Sequence, residues 1–379
     1  MLTDTLRAQD FPSLREMTYL NTAAEGIPPL PVIDAVAQYC RDKQLGMDGR
    51  EEHFAQWEAA KKLLAQLYGL TPAEVSICSC SSEAYNLAAL ALALRAGDDV
   101  VINDLDFPAG ATPWLNERCP AEVRLWRARD GALRVEDLAA LVGPRTRLVQ
   151  LSLVSFFNGF LVDLPEVLAT VRRSSPALVA VDVTQALGRI ELDLAGVDLI
   201  VSSTHKWLLA THGGGLVGIP AARAAELSVP AGGWFNLEDA FGADRFERAV
   251  ARPGAAGFTV GMPNFPAVYA IRAALEYILG IGVAAIDQAS RPLVLACLEE
   301  LSKLPVELLT PCEPARLAGI LAFRHPKAEE IHGRLHKQDI HVMSHAGRLR
   351  IALHGYNTPA DVERFLSALK EALNAVGPG

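Results

Sequence analysis

Apolar positions change their period repeatedly along the chain. After Pro31 a helical pattern runs to about Leu45. From Glu51 to Tyr68 the residues Phe54, Trp57, Ala60, Leu64 and Leu67 recur at spacings of three and four, which places them on one helix face. Short apolar and β-branched runs then follow at Val75 to Cys78, Val100 to Asn103, Val123 to Trp126, Arg147 to Leu153, Leu178 to Val183 and Leu199 to Ser203. Most are separated by helix-like segments. Strand then helix, repeated, predicts an α/β fold whose central sheet is mostly parallel and built by crossover connections. Beyond Phe258 the pattern changes: Pro263 and Pro266 precede an amphipathic stretch from Ala267 to Leu279, and an α+β tail ends in a helix from Pro359 to Ala375. This reading divides the chain into a large α/β domain, 21–260, and a smaller α+β domain, 261–379 together with 1–20.

Composition narrows the class. Of 379 residues 50% are hydrophobic, too many for a disordered chain and enough for two cores. The formal charge of −9 argues against nucleic acid and anionic membrane surfaces as partners, because both select clustered Lys and Arg. Met1 to Asp10 has no apolar core of the kind a secretory signal needs, and no run approaches the length of a transmembrane helix. Cys40, Cys78, Cys80, Cys119, Cys297 and Cys312 are sparse and include no Cys-x-x-Cys pair. A reduced, cytoplasmic protein is expected.

Two motifs mislead. Gly213, Gly215 and Gly218 have the spacing G-x-G-x-x-G, but they precede the strand-like run Leu216 to Ile219 and open no helix, the reverse of a dinucleotide fingerprint. His332 and His336 share a helix face without a marked third ligand, so no metal is assigned.

The segment Val179 to Lys206 carries chemistry. Asp182 ends an apolar strand, Gln185 follows, and Ser203-Thr-His205-Lys206 lies just past the next strand. An acid and a lysine so placed meet at the carboxyl edge of one sheet, where open α/β sheets bind ligands. A lysine amine can condense with an aldehyde cofactor, and a carboxylate can hold a pyridine nitrogen protonated so that the ring accepts electrons. Pyridoxal phosphate needs both. Upstream, Cys80-Ser81-Ser82-Glu83 reads as strand, tight turn, helix, a place where a helix N-terminus and two hydroxyls favour a phosphate; plain N-capping by Ser82 is the alternative.

Together these strings resemble the class V aminotransferase family, fold-type I pyridoxal-phosphate enzymes that include cysteine desulfurases, kynureninase and isopenicillin N epimerase. The resemblance runs from Tyr19-Leu-Asn-Thr-Ala-Ala24 to Tyr356-Asn-Thr358. It implies a large domain with a mostly parallel sheet flanked by helices and a smaller α+β C-terminal domain. It also implies that Lys206 is the Schiff-base lysine, Asp182 the partner of the pyridinium nitrogen and Gln185 the residue bonded to the ring hydroxyl. Ser81, Ser82, Ser203 and His205 would then hold the phosphate, Phe107 would cover the ring, and Arg350 would grip the substrate α-carboxylate. The family further implies an amino acid substrate and a homodimer with sites at the subunit interface, to which Met262 and Asn264 of the partner would contribute.

Departures from the family sharpen the expected reaction. Phe107 stands where desulfurases carry histidine, Met262 where a threonine is common, and Phe156 where desulfurases carry asparagine. In place of the mobile loop with its sulfur-accepting cysteine the chain reads Val342-Met-Ser-His345-Ala-Gly-Arg348, and no cysteine follows Cys312. On that ground the expected function is aminotransferase or epimerase chemistry at Cα of an amino acid, not cysteine desulfuration. A carbon–sulfur β-lyase is the next choice, and a non-catalytic binding or regulatory protein is the choice from another class.

Overall fold

The computed structural model describes residues 4–230 and 232–377. Seven strands form the central sheet: β1 (Val75–Cys78), β2 (Asp99–Asn103), β3 (Glu122–Trp126), β4 (Thr146–Ser152), β5 (Leu178–Asp182), β6 (Leu199–Ser203) and β7 (Gly215–Gly218). Their spatial order is β1-β7-β6-β5-β4-β2-β3. All neighbouring pairs from β6 to β3 are parallel, whereas β7 runs antiparallel to both β6 and β1. The expected α/β architecture with a mostly parallel sheet is therefore present.

The period-two pattern explains why this sheet is covered on both faces. Val101, Val149, Leu151, Val179, Val181 and Ile200 enter one apolar cluster, while Val100, Ile102, Leu148, Ala180, Leu199 and Val201 enter another on the opposite face. Helices supply the second layer of each. Early helices α1 (Leu30–Lys43) and α2 (Arg50–Tyr68) pack on α6 (Phe265–Ile281), and α3 (Ser81–Leu92) lies with α4 (Pro108–Leu115) on the other side. The fifth helix, α5 (Leu164–Ser174), begins at an Asp163 cap that accepts from the Glu166 backbone N–H.

Farther along, α6 turns by 73° at Gly282 into α7 (Val283–Leu301). A four-stranded sheet follows: β8 (Glu307–Leu308), β9 (Ile320–Arg324), β10 (Met343–His345) and β11 (Arg348–Ala352), in the order β10-β11-β9-β8. Helices α8 (Ala328–His336) and α9 (Pro359–Val376) cover it, and Leu321, Phe323, Leu349, Ile351, Phe365 and Leu369 form its own apolar cluster. Each such side chain, fully buried, contributes about 1.5–3 kcal/mol relative to exposure. Thr18 and Tyr19 pair in parallel with Ile340 and His341, so the N-terminal segment joins this part of the chain. Arg189 ties the two clusters together: its buried guanidinium meets Asp287 at 2.7 Å and donates to the carbonyls of Leu353 and Ala318.

Among the described residues no single helix is long and apolar enough to cross a membrane. His332 and His336 lie on α8 with ring centroids 6.0 Å apart.

Candidate active site

Asp182 is the last residue of β5, and Lys206 follows β6 by three residues, so adjacent parallel strands deliver both to the carboxyl edge. Asp182 is buried. One of its carboxylate oxygens accepts from the Thr184 backbone N–H at 2.7 Å, and the other accepts from the Tyr85 hydroxyl at 2.9 Å. Tyr85 comes from the buried face of α3, a contact that nothing in the sequence pattern marks. Asp106 adds a second carboxyl nearby; burial, reinforced by the charge of Asp182, raises its pKa to about 7.

Burial is the main cause of a lowered Lys206 pKa; Arg350 pushes the same way, against the attraction of Asp182 and Glu25. The amine therefore loses its proton more readily than a surface lysine and is better prepared to attack a carbonyl. Its Nζ lies 5.0 Å from the centroid of Phe107, whose ring is 45% exposed and offers a flat face over the lysine. Phe156 meets Phe107 edge to face at 5.1 Å.

At the other end of the site, α3 begins at Ser81. Its N-cap is Cys80, not Ser82: the Cys80 sulfur accepts from the Glu83 N–H, while Glu83 turns back to bond both the backbone N–H and the hydroxyl of Ser79. Ser82, freed from capping, is exposed on the first turn. Ser81 Oγ and Ser203 Oγ lie 3.0 Å apart, so two hydroxyls converge at a helix N-terminus. Gly215 permits this convergence, because a Cβ there would stand 2.4 Å from the Cys80 carbonyl carbon. His205 stacks on His212 at 4.0 Å, and burial lowers its pKa to about 4, leaving a neutral imidazole that still carries an N–H donor. His212 in turn lies 3.3 Å from Glu25.

Gln185 is buried and largely committed. Its side-chain oxygen accepts from the Trp207 indole at 2.6 Å and its nitrogen donates to the Ala23 carbonyl at 3.1 Å, which leaves one N–H for a ligand. The segment around Ala23 is held against Lys206 by the Gly26 N–H, which donates to the His205 carbonyl at 2.8 Å. Arg350 is 4% exposed and donates to the Phe156 carbonyl at 2.8 Å, so the fold brings it toward the lysine end of the site. Met262, at 42% exposed, lies outside this cluster within its own chain, and Asn264 bonds the Gly213 carbonyl. Asn158 is structural: it ties the carbonyls of Gly131 and Leu309 together.

The donor set fits pyridoxal phosphate. Two hydroxyls converge at a helix end, an imidazole follows one of them by two residues, a carboxylate closes one strand, an amine with a lowered pKa follows the next, and an exposed phenylalanine lies over the amine. This is the arrangement of a fold-type I pyridoxal-phosphate enzyme. The family model Aminotransferase class-V matches residues 18–365, and the chain belongs to that family. Its cofactor is pyridoxal phosphate, and its members act on amino acids.

Relatives agree on the family and differ in activity. The chain is 27% identical over 363 residues to an uncharacterized aminotransferase, YcbU, of Bacillus subtilis (strain 168), covering 95% of this chain and 96% of that one. It is 28% identical over 405 residues to a cysteine desulfurase of Salmonella typhimurium, covering 97% and 98%. Among solved structures, a cysteine desulfurase from Thermococcus onnurineus NA1 superposes with a TM-score of 0.88 at 23% identity, covering 99% of each chain.

These relatives correct one expectation. The missing loop cysteine was the ground for setting desulfuration aside in favour of aminotransferase or epimerase chemistry, yet full-length relatives are cysteine desulfurases. The physical reason is that such a cysteine is a nucleophile that attacks the substrate sulfur as the carbon–sulfur bond breaks, leaving the electron pair at Cβ, and a thiol from solution can take the same part.

Proposed function

We propose that the protein has a cysteine desulfurase-like role, cleaving the carbon–sulfur bond of cysteine or a close analogue. The juxtaposition of Lys206 with an uncompensated Arg350, in a chain whose full-length relatives include cysteine desulfurases, carries this reading. In it Arg350 receives the substrate α-carboxylate through its planar fork, and Lys206 moves the proton at Cα. Asp182 pairs with the ring nitrogen of the cofactor, Gln185 with the ring hydroxyl, and Phe107 covers the ring face. Ser81, Ser82, Ser203 and His205 hold the phosphate. When bound, pyridoxal phosphate supplies an electron-accepting ring that stabilises negative charge at Cα. Phe107 has no proton to give, so proton delivery on that side falls to Lys206.

Sulfur passes to a thiol from solution: cysteine and R–SH give alanine and R–S–SH, in which atoms and charge balance. A homodimer belongs to the same reading and is supported by the exposed side chains of Met47, Phe241, Phe246 and Met262, which a second subunit would cover.

The test is to incubate purified protein loaded with pyridoxal phosphate with cysteine and dithiothreitol. Sulfide and alanine in equal amounts are expected, and Arg350→Gln should raise KM for cysteine. Keto acid formation from amino acids without sulfide release would overturn the reading.

A further inference from the structure

The chain shows how it buries an arginine for structural purposes. Arg189, fully buried, has a carboxylate partner in Asp287 and two backbone carbonyls besides. Asp198, also buried, is met by both Arg172 and Arg223. In both places a buried charge is matched by an opposite charge.

Arg348 and Arg350 break that pattern. They are 3% and 4% exposed, yet among the described residues neither forms an ion pair. Each spends one terminal nitrogen on a backbone carbonyl of the same loop, Arg348 on Phe157 and Arg350 on Phe156, both at 2.8 Å. The Nε atom of each is buried without a hydrogen-bond partner. Two neighbouring buried guanidinium groups without a counter-ion are strongly unfavourable, and each pushes its surroundings toward an anion.

Their placement is set by β11. Leu349 and Ile351 face the apolar cluster of the four-stranded sheet, so Arg348 and Arg350 share the opposite face, toward the Phe156–Phe157 loop. Arg348 also lies 4.2 Å from the Phe157 centroid and 5.6 Å from that of Phe156, the ring that abuts Phe107. Two residues along a strand span about 6.6 Å, comparable to the separation of the ends of a short dicarboxylate.

We infer that Arg348 is a second anion-binding residue, and that among cysteine and its analogues the site favours those whose sulfur substituent ends in a carboxylate or an equivalent anion. This rests on the reading of Arg350 as the α-carboxylate site. Arg350 then fixes the amino acid head, and Arg348 selects what lies beyond Cβ. A planar fork suits both tasks, since one edge of each guanidinium remains available for an incoming carboxylate.

Calorimetric titration of the pyridoxal-phosphate-loaded enzyme with glutarate and with butyrate tests this without turnover. Glutarate should bind at least about tenfold more tightly, the worth of one charge-assisted hydrogen bond. Arg348→Gln should remove that gap and leave butyrate unchanged, and Arg348→Lys should keep part of it. Arg350→Gln should weaken both ligands. Equal affinities in the unmodified enzyme, or an equal loss for both ligands in Arg348→Gln, would overturn the inference. The sulfide assay is separate, so failure here and failure of the desulfurase-like reading are told apart.

Discussion

The pair of hydroxyls at the start of α3 makes a quantitative prediction. Without phosphate, Ser81 and Ser203 satisfy each other across 3.0 Å, a bond in which only one donates. With the cofactor phosphate in place, both would turn and donate to it. A charge-assisted bond contributes about 1.5–3 kcal/mol and a neutral one about 0.5–1.5 kcal/mol. Removing one hydroxyl thus loses a phosphate bond but also relieves the free protein of a neutral bond, a net cost of about 1.2 kcal/mol taking mid-range values. That is about an eightfold weaker Kd. Removing both loses two phosphate bonds and still only one neutral bond, about 3.5 kcal/mol or several hundred-fold. Ser81→Ala, Ser203→Ala and the double variant should therefore be more than additive, by about 1 kcal/mol. Equilibrium dialysis of pyridoxal phosphate against the cofactor-free proteins measures all three. Strict additivity, or an unchanged Kd in either single variant, would refute the shared role of the two hydroxyls.

Two further outcomes follow from the surroundings of Lys206. Gly26→Ala would place a Cβ 2.0 Å from the Lys206 carbonyl oxygen, and overpacking of this kind costs about 1–3 kcal/mol; denaturant titration should show that loss together with weaker cofactor retention. His354 is fully buried, accepts from the Gly355 N–H and donates to the Trp207 carbonyl, and burial lowers its pKa to about 3. The unfolded chain takes up a proton below about pH 6.5 while the folded one does not, so stability should fall as pH drops from there toward 3, at about 1.4 kcal/mol per pH unit from this group. Denaturation of His354→Gln across that window should show a shallower slope, and an identical slope would remove His354 as the cause.

The sheet was legible because buried parallel strands are written as short apolar runs, and those runs lie within a residue or two of the strands found. That Asp182 and Lys206 reach one sheet edge was legible because Asp182 closes one such run and Lys206 follows the next by three residues. Tyr85 was not. Its hydroxyl meets a carboxylate 97 residues away, and in the sequence it is one more apolar position on a helix. Cys80 displaced Ser82 as the cap because the helix already begins at Ser81, and sulfur is an uncommon capping atom. Arg348 left a signal that went unused. Arg-Leu-Arg-Ile alternates charge with apolar residues at the period of a strand, so it writes one core face and one cationic face. Glu25 and His212 reach His205 from separate loops, and loop tips carry no periodicity from which to place them.

Arg189 sets a limit on dissecting the molecule. It belongs to the first half of the chain, whereas Asp287, Ala318 and Leu353 all come from the second. A fragment ending before Asp287 would strand a buried cation and three donors, so the part of the chain that carries Lys206 and Asp182 should not fold on its own. Split versions of the protein should regain cofactor binding only when both pieces are present, which makes this one side chain a handle for assembling the enzyme from parts.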